Sequence, residues 1–265
     1  MSEIRKSLQN AFARSLRKPF VKAVREFSLV SPGDRIAVCV SGGKDSMLLA
    51  LLMQDLQHTV DFELVFLAMD PGYAPAGREA LAENARMLGI PMEIFETDVL
   101  RVARNHAPAH PCFLCAKMRR GHLYAEAEKR GCRKIALGHH YDDAVETVLM
   151  GLLYGGQVQA MLPRVRSKHY AGMELIRPLY FVREQAVSEW AAANGLVFSS
   201  CDCPAKALED GTKREMVKTL LASLAADNSQ VEANILNAVK NVDTAKVLGW
   251  RDGAGRHSFL DTFDE

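Results

Sequence analysis

One short polar segment, Ser41-Gly42-Gly43-Lys44-Asp45-Ser46, could bind an anion. It follows an apolar run over 36–40, which predicts a buried strand, and a helical pattern over 47–56 begins at once. A strand, a glycine turn and a helix N-terminus together present free backbone N–H groups and the positive end of the helix dipole. The two glycines permit a close approach of the backbone, while hydroxyl and ammonium groups add donors and charge. We therefore expect this segment to bind phosphate.

The order S-G-G-K-D-S resembles the PP-loop of ATP pyrophosphatases, which hold ATP by its pyrophosphate. The spacing G-x-x-x-x-G-K-S/T of a Walker A loop is absent. The competing interpretation is an ordinary strand–helix turn with an accidental pair of glycines, and the agreement of six residues with their context weighs against it. The residues expected to bind ATP in this loop are Ser41, Gly42, Gly43, Lys44, Asp45 and Ser46.

Two pairs of cysteines have the spacing of a metal or cluster site. Cys112 and Cys115 lie three residues apart at the start of a predicted helix, and Cys201 and Cys203 form a later C-x-C. Four thiolates would suit a structural zinc, and three would suit an iron–sulfur cluster or a catalytic metal with an open position. Because C-x-C is an awkward spacing for tetrahedral zinc, three ligands with one spare cysteine are favoured. Zinc, a cluster and plain burial of small side chains all stay open on spacing alone.

The composition is that of an ordinary globular protein. The chain has 265 residues, 48% hydrophobic and 25% charged, without an uninterrupted apolar run of about 18 residues that would span a membrane. The basic N-terminus lacks the apolar core of a secretion signal, so a cytoplasmic protein without disulfides is expected. Cys39 and Cys132 are accordingly interpreted as packing residues.

Basic residues cluster along the chain although the net charge is only +1. The three clusters lie within 5–25, 117–134 and 164–169, and each alone would read as a solvated helix face. Three basic clusters in a chain whose net charge is close to zero favour one basic face, as in proteins that bind RNA. The candidates for RNA contact are Arg119, Arg120, Arg164, Arg166, Lys168 and Arg177.

Apolar runs alternate with helical patterns, which predicts an α/β fold with a doubly wound parallel sheet. Ligands of such sheets bind at the carboxyl ends of the strands, where the loop 41–46, Asp70 and the segment 138–143 should all lie. The predicted strands are 35–40, 61–69, 92–96, 134–137 and 175–178. A helix is expected over 3–28, two C-terminal helices over 213–225 and 231–248, and a loosely ordered tail from 249. The expected domains are 1–30 (basic helix), 31–200 (ATP-binding) and 201–265 (later cysteines, C-terminal helices and tail).

Three blocks together resemble the tRNA 2-thiocytidine synthetase family (TtcA). They are the loop with its preceding Gly33-Asp34-Arg35, the pair Cys112-x-x-Cys115 followed by Arg119-Arg120-Gly121, and the stretch from Lys134 through Gly138-His139-His140 to Asp142-Asp143. The PP-loop alone would indicate only the superfamily, whereas the C-x-x-C and G-H-H-x-D-D blocks are more specific. The likeness covers roughly residues 20–220.

The resemblance implies an ATP-dependent tRNA sulfurtransferase that adenylates the C2 carbonyl of a cytidine at position 32 and replaces its oxygen by sulfur. It implies ATP, Mg²⁺ and a [4Fe-4S] cluster held by three cysteines, with one iron not bound by protein and able to carry sulfide. Cys112 and Cys115 would be ligands. Cys203 is the expected third, with Cys201 as the alternative, because C-D-C-P replaces the C-x-x-C of the family. The implied partners are tRNA and a cysteine desulfurase or other sulfur donor, with a homodimer as a further expectation.

The same resemblance assigns residues to the reaction. The catalytic candidates are Lys44, Asp45, Asp142 and Asp143, and the further ATP contacts are Ala68 and Met69 (through the backbone near adenine), Gly138 and His139. Mg²⁺ would neutralise the leaving pyrophosphate, with Asp45 and either Asp142 or Asp143 as candidates to help place it. Each has a simpler interpretation: Asp142 as a helix cap, His140 as a structural histidine and Arg177 as an ion-pair residue.

Two other functions compete. One is a PP-loop sulfurtransferase or ATP pyrophosphatase that acts on another nucleoside or on a small molecule. The other is a module without catalysis, in which a zinc or cluster site serves RNA binding or redox sensing. The intact loop argues against the second.

Overall fold

The computed structural model describes residues 3–72, 75–106, 111–198 and 213–263. Its main feature is a six-stranded sheet in the order β3-β2-β1-β4-β6-β5. All neighbouring strands are parallel except β5 and β6, which are antiparallel. The strands are β1 (Arg35–Cys39), β2 (Glu63–Asp70), β3 (Met92–Glu96), β4 (Lys134–Ala136), β5 (Arg164–Arg166) and β6 (Glu174–Ile176). The predicted doubly wound parallel sheet is therefore confirmed. It also has an antiparallel edge strand, β5, which the sequence pattern does not predict.

Helices flank the sheet and form a separate C-terminal group. They are α1 (Glu3–Gln9), α2 (Lys18–Glu26), α3 (Lys44–Leu56), α4 (Pro75–Met87), α5 (Val99–His106), α6 (Pro111–Lys129), α7 (Tyr141–Gly155), α8 (Glu184–Ala193), α9 (Lys213–Asp227) and α10 (Val231–Ala238). The single helix predicted over 3–28 is wrong in detail. It ends at Gln9, and a π-helical turn, Ala13–Arg17, precedes α2, which has Pro19 in its first turn. None of the described helices is both long and apolar enough to cross a membrane.

Apolar side chains cover both faces of the sheet. On one face, α3 is buried almost all round, and α8 adds Trp190, which is fully buried. The N-terminal helices contribute Leu8 and Phe20 to this same core. On the other face, α6 packs Tyr124 against the sheet. Burial on both faces explains why the central strands read as continuous apolar runs.

The connections bring several helix N-termini to one edge of the sheet. In right-handed βαβ units each helix runs antiparallel to the strands, so it starts at their carboxyl edge. This places the first turns of α3 and α7 beside the carboxyl ends of β1 and β4, the neighbours from which the strand order departs in opposite directions. α6, which leads into β4, also starts at this edge. The topology therefore gathers the loop 41–46, the segment 138–143 and the first cysteine pair at the switch point, where doubly wound sheets bind ligands.

The chain divides into two compact units. The larger comprises Met1–Ala144 and Met161–Thr212 and contains the sheet; the smaller comprises Val145–Ala160 and Lys213–Glu265. Within the smaller unit, the buried carboxylate of Glu146 accepts a hydrogen bond from Arg214 Nε at 2.5 Å. The boundaries expected from the sequence, at 30 and 200, stay a prediction.

The C-terminal region differs from the sequence-based expectation. The last helix ends at Ala238 instead of 248, since the following V-K-N-V-D-T is rich in β-branched and Asx residues, which are poor helix formers. The region expected to be a loose tail holds a hairpin of β7 (Gly249–Arg251) and β8 (Arg256–Ser258). Trp250 stacks on His257 across this hairpin, with ring centroids 4.8 Å apart.

Candidate active site

The loop after β1 is closed by the hydroxyl of Ser46. This hydroxyl accepts a hydrogen bond from the backbone N–H of Ser41 at 3.0 Å and donates one to the carbonyl of Gly43 at 2.9 Å. Gly42 has φ +90°, and a Cβ at this position would lie 3.1 Å from Leu81 Cδ1. Ser46 therefore shapes the loop, and the backbone conformation requires glycine at position 42.

The N-terminus of α3 has a glycine as its N-cap. This residue, Gly43, provides no side-chain hydrogen bond, so the amides of the first turn are not capped by a side chain of that residue. From the other side Gly138, two residues past β4, packs on this turn: a Cβ there would lie 3.1 Å from Ser46 N and 3.2 Å from Asp45 C. The predicted phosphate contacts 41–46 and Gly138 thus lie together, around a helix N-terminus of the kind that binds anions.

Lys44 and Asp45 begin α3 and share a charged network. Lys44 Nζ lies 3.0 Å from Glu184 Oε1 and 3.4 Å from Asp45 Oδ2. Partial burial would lower the pKa of Lys44, but the two carboxylates outweigh it and the pKa is raised. Burial raises the pKa of Asp45, against the opposing charges of Lys44 and His140. Asp45 Oδ1 is buried and has no hydrogen-bond partner among the described residues. The lysine is therefore held charged at the edge of the predicted phosphate site.

The two aspartates after β4 cap helices. Asp143 accepts a hydrogen bond from the backbone N–H of His140 at 3.0 Å, at the start of α7, and its own N–H donates to His140 Nδ1 at 3.4 Å. This is the reciprocal pattern of a capping box. Asp142 instead accepts from the N–H of Glu184 at 2.7 Å, so it caps α8 and not the helix on which it lies. Their predicted catalytic roles stay predictions.

Removing the Asp143 cap has a defined expected cost. We expect Asp143→Ala to lower the free energy of unfolding by about 1 kcal/mol, because the His140 N–H loses its acceptor. Asp143→Asn keeps a side-chain oxygen for that bond and should cost only a few tenths of a kcal/mol. Urea denaturation measures both variants, and equal destabilisation would contradict the capping role. The activity predicted from the sequence, measured on the asparagine variant, then reports on the charge alone.

The predicted adenine contacts lie at the end of β2. Val40 N–H bonds to the Leu67 carbonyl on the β1 side, and Thr97 N–H bonds to the Asp70 carbonyl on the β3 side. Because peptide groups alternate sides along a strand, Met69 faces the β1 side and Ala68 the β3 side. β1 ends at Cys39, so Met69 presents its peptide groups beside the loop 41–46. Ala68 is fully buried and engaged with β3.

The first cysteine pair lies in the first turns of α6. Cys112 and Cys115 are three residues apart, a spacing that places two helical positions on one face, and Cys115 is half-buried. Cys201 and Cys203 lie outside the described residues, and no group of three metal-binding side chains occurs within the described ranges. Burial raises the pKa of Cys39 to about 12 and also raises that of Cys132, and both lie in the apolar cluster beneath α6. These two thiols are poor nucleophiles and poor ligands.

The predicted RNA contacts differ in how they are held. Arg164 forms a two-pronged bond to Glu174, at 2.9 and 3.0 Å, which ties β5 to β6. Arg166, Lys168 and Arg120 are exposed and Arg119 is half-buried.

Arg177 directly follows β6 and is partly buried. One of its terminal nitrogens donates to the Leu162 carbonyl, while its Nε has no hydrogen-bond partner among the described residues. Burial and the nearby charge of Arg120 lower its pKa to about 10. An anion bound near Arg177, at the carboxyl end of β6, would offset the repulsion between the two guanidinium groups.

Sequence reasoning missed Glu184 and Arg183. They link the loop after β1 to the segment after β4, since Glu184 bonds to Lys44 and Arg183 pairs with Asp142 at 3.0 Å. They belong to no recognisable motif. The only available signal is their position at the start of a helix shortly after a strand end.

A parallel sheet with an S-G-G-K-D-S loop at its switch point defines a PP-loop nucleotide-binding protein. Residues 8–205 match the model of the PP-loop domain family ATP_bind_3. The chain is 37% identical over 262 residues to the tRNA-cytidine(32) 2-sulfurtransferase of Anaeromyxobacter dehalogenans (strain 2CP-C), and the alignment covers 95% of this chain and 89% of that protein. It is 35% identical over 246 residues to the protein of that name from Geobacter sulfurreducens (91% and 95% covered). The chain belongs to the family of tRNA-cytidine(32) 2-sulfurtransferases, which confirms the resemblance.

A solved structure has the same fold. The U34-tRNA thiolase NcsA from Methanococcus maripaludis, determined with its [4Fe-4S] cluster, superposes with a TM-score of 0.66 over 86% of this chain and 80% of that one. The identity is 18%, so the likeness concerns the fold alone.

Proposed function

We propose that this chain is an ATP-dependent sulfurtransferase that converts cytidine 32 of tRNA to 2-thiocytidine. The observation that carries the proposal is the close packing of the segment after β4 on the phosphate loop, at the sheet edge where α6 also starts, in a chain that belongs to this family. An ATP site alone would allow any adenylation. The cysteine pair at the same edge supports replacement of the activated oxygen by sulfur.

The chemistry proceeds in two displacements. The C2 oxygen of cytidine attacks the α-phosphorus of ATP and pyrophosphate leaves. Sulfide then adds to C2, and the C2–O bond breaks, so that AMP carries the oxygen away and a C2=S bond forms. AMP is a better leaving group from C2 than an oxide ion, and ATP contributes to the reaction by converting the oxygen into this leaving group. Mg²⁺ bound with ATP would supply positive charge for the leaving pyrophosphate.

The residues of the chain hold the reacting groups. The amides at the start of α3 and the ammonium of Lys44 bind and polarise the phosphates, while the peptide groups of Met69 contact adenine. Gly138 and His139 border the phosphates or the ribose. Asp45, with either Asp142 or Asp143, would help to hold the Mg²⁺ of the leaving pyrophosphate.

The cysteines fit the proposed cluster as far as the chain is described. Cys115, half-buried near the start of α6, supplies a thiolate, the ligand type of iron–sulfur clusters; Cys112, three positions earlier in the same helix, and Cys203 (or Cys201) are proposed as the other two ligands. With three protein ligands, such a cluster would leave one iron without a protein ligand and would supply the sulfur that replaces the oxygen. Buried Cys39 and Cys132 do not compete for this role.

We propose that tRNA is held by the basic residues at and beside this edge. Arg119, Arg120 and Arg177 would contact the phosphates near the splayed cytidine, and Arg166 and Lys168 would bind farther along the backbone. Arg164 is also proposed to contact tRNA, while it keeps its hydrogen bonds to Glu174. A cysteine desulfurase or other sulfur donor, a homodimer and a cytoplasmic location complete the proposal, the last because tRNA is the substrate.

Nucleoside mass spectrometry of tRNA from a strain lacking this gene tests the proposal. We expect 2-thiocytidine to disappear and to return with the wild-type gene but not with Lys44→Ala. Unchanged 2-thiocytidine would refute the substrate. Loss of a different thionucleoside would instead support the alternative of a PP-loop sulfurtransferase with another target, and an unchanged nucleoside profile without AMP formation in vitro would support a non-catalytic module.

A further inference from the structure

The side chain of Glu184 reaches the lysine of the phosphate loop from a distant part of the chain. Glu184 is the first residue of α8, and its Oε1 accepts a hydrogen bond from Lys44 Nζ at 3.0 Å across a sequence separation of 140 residues. Both side chains are partly exposed, at 26% for Lys44 and 34% for Glu184. A lone surface ion pair of this kind contributes little to stability, so its location at the phosphate loop is the notable fact.

Glu184 is itself held in place through its backbone. Its N–H donates to Asp142 Oδ2 at 2.7 Å, and the other oxygen of Asp142 pairs with Arg183 at 3.0 Å. The Arg183 guanidinium in turn lies over the Tyr141 ring, 4.8 Å from its centroid. The start of α8 is therefore fixed to the segment after β4, on the opposite side of the switch point from the loop that carries Lys44.

The two carboxylates leave Lys44 one donor. An ammonium group has three N–H bonds, and here Glu184 and Asp45 Oδ2 accept two of them. With two directions fixed, the third N–H has a defined direction instead of rotating freely. A phosphate oxygen bound at the start of α3 is the ligand that this remaining donor suits.

We propose that Glu184 is a positioning residue, which orients the ammonium of Lys44 so that its third N–H meets the phosphate charge that develops during adenylation. The proposal rests on the proposed function, in which Lys44 binds ATP. Its energetic consequence is specific. Glu184 adds negative charge near a polyanion, so it does not improve ATP binding in the ground state, and its benefit is confined to the transition state.

Steady-state AMP release by the cluster-loaded protein with tRNA, together with calorimetric titration by ATP, tests this role. We expect Glu184→Ala to lower kcat about tenfold or more, the usual effect of losing a hydrogen bond to a charged group, with the KM and the Kd for ATP unchanged or lower. Glu184→Gln should recover most of kcat, because its amide oxygen accepts the same bond. The matched control is Glu189→Ala on the same helix, where an exposed carboxylate accepts a bond from Gln185 only one turn away and no change is expected.

A double-mutant cycle with Lys44→Ala separates the possible failures. If Glu184 acts through Lys44, Glu184→Ala has no further effect in the Lys44→Ala background. An equal loss in both backgrounds, or a raised KM with unchanged kcat, would overturn the inference while leaving the proposed function intact. If Lys44→Ala itself binds and turns over ATP like the wild type, the proposed role of the loop fails, and the inference fails with it.

Discussion

Cys115→Ala is expected to abolish both iron binding and the formation of 2-thiocytidine. Substitution of outer-shell partners of metal ligands already costs about 10–100-fold, so loss of a ligand should cost on the order of 100-fold or more in thiolation. The protein should still fold, because Cys115 lies near the start of α6 while the apolar contact of that helix with the sheet is made farther along, at Tyr124 and Ala127. Iron analysis and visible absorption after anaerobic purification measure the first effect, and nucleoside mass spectrometry measures the second.

Cys132→Ala is the matched control. Its thiol is buried in the apolar cluster beneath the same helix, so the variant should keep about four irons per chain and full activity, with a loss of stability of about 1 kcal/mol. Comparison of Cys201→Ala with Cys203→Ala identifies the third ligand, expected to be Cys203. If the wild-type protein is colourless and contains zinc, the proposed cluster is refuted. If the Cys115→Ala protein still binds iron, the proposed role of Cys115 as a cluster ligand is refuted.

The local part of the site could be read from the sequence because one short segment contains it. The strand, the glycine turn and the helix start occupy consecutive residues, so periodicity and residue type identify them without tertiary information. The partners that complete the site cannot be found in this way. Glu184 is 140 residues from Lys44, and only the packing of α8 beside the loop brings the two together.

Short polar elements were the least predictable part of the fold. β5 has only three residues, two of them arginines, and it is held to β6 by backbone pairing and by the bond of Arg164 to Glu174. Asp142 shows the same limit at the level of a single side chain. Its position at the start of a predicted helix predicts a cap for α7, yet its carboxylate accepts from the first amide of α8, an element that only the tertiary fold brings within reach.

Gly138→Ala is expected to lower kcat/KM for thiolation about 100-fold while the protein stays folded. The added Cβ would lie 3.1 Å from Ser46 N and 3.2–3.3 Å from the carbonyl group of Asp45. These are backbone atoms at the start of α3, which cannot rotate away as the end of a side chain can. The segment after β4 and the phosphate loop must therefore separate by a few tenths of an ångström. Misplacement of a site by about 1 Å can cost 10²-fold, because the reacting groups lose their alignment.

Gly138 is a better position for this test than Gly42, because a substitution at Gly138 has a single structural effect. Gly42 combines a positive φ with a contact to the flexible end of Leu81, so its substitution mixes backbone strain with a steric effect that Leu81 can relieve. Gly138 has no positive φ, and any loss reports the close approach of the two loops alone. Gly253→Ala, where an added Cβ meets nothing within 4 Å, is the control for the same substitution. Wild-type ATP affinity and turnover in a folded Gly138→Ala protein would show that this close approach does not shape the ATP site.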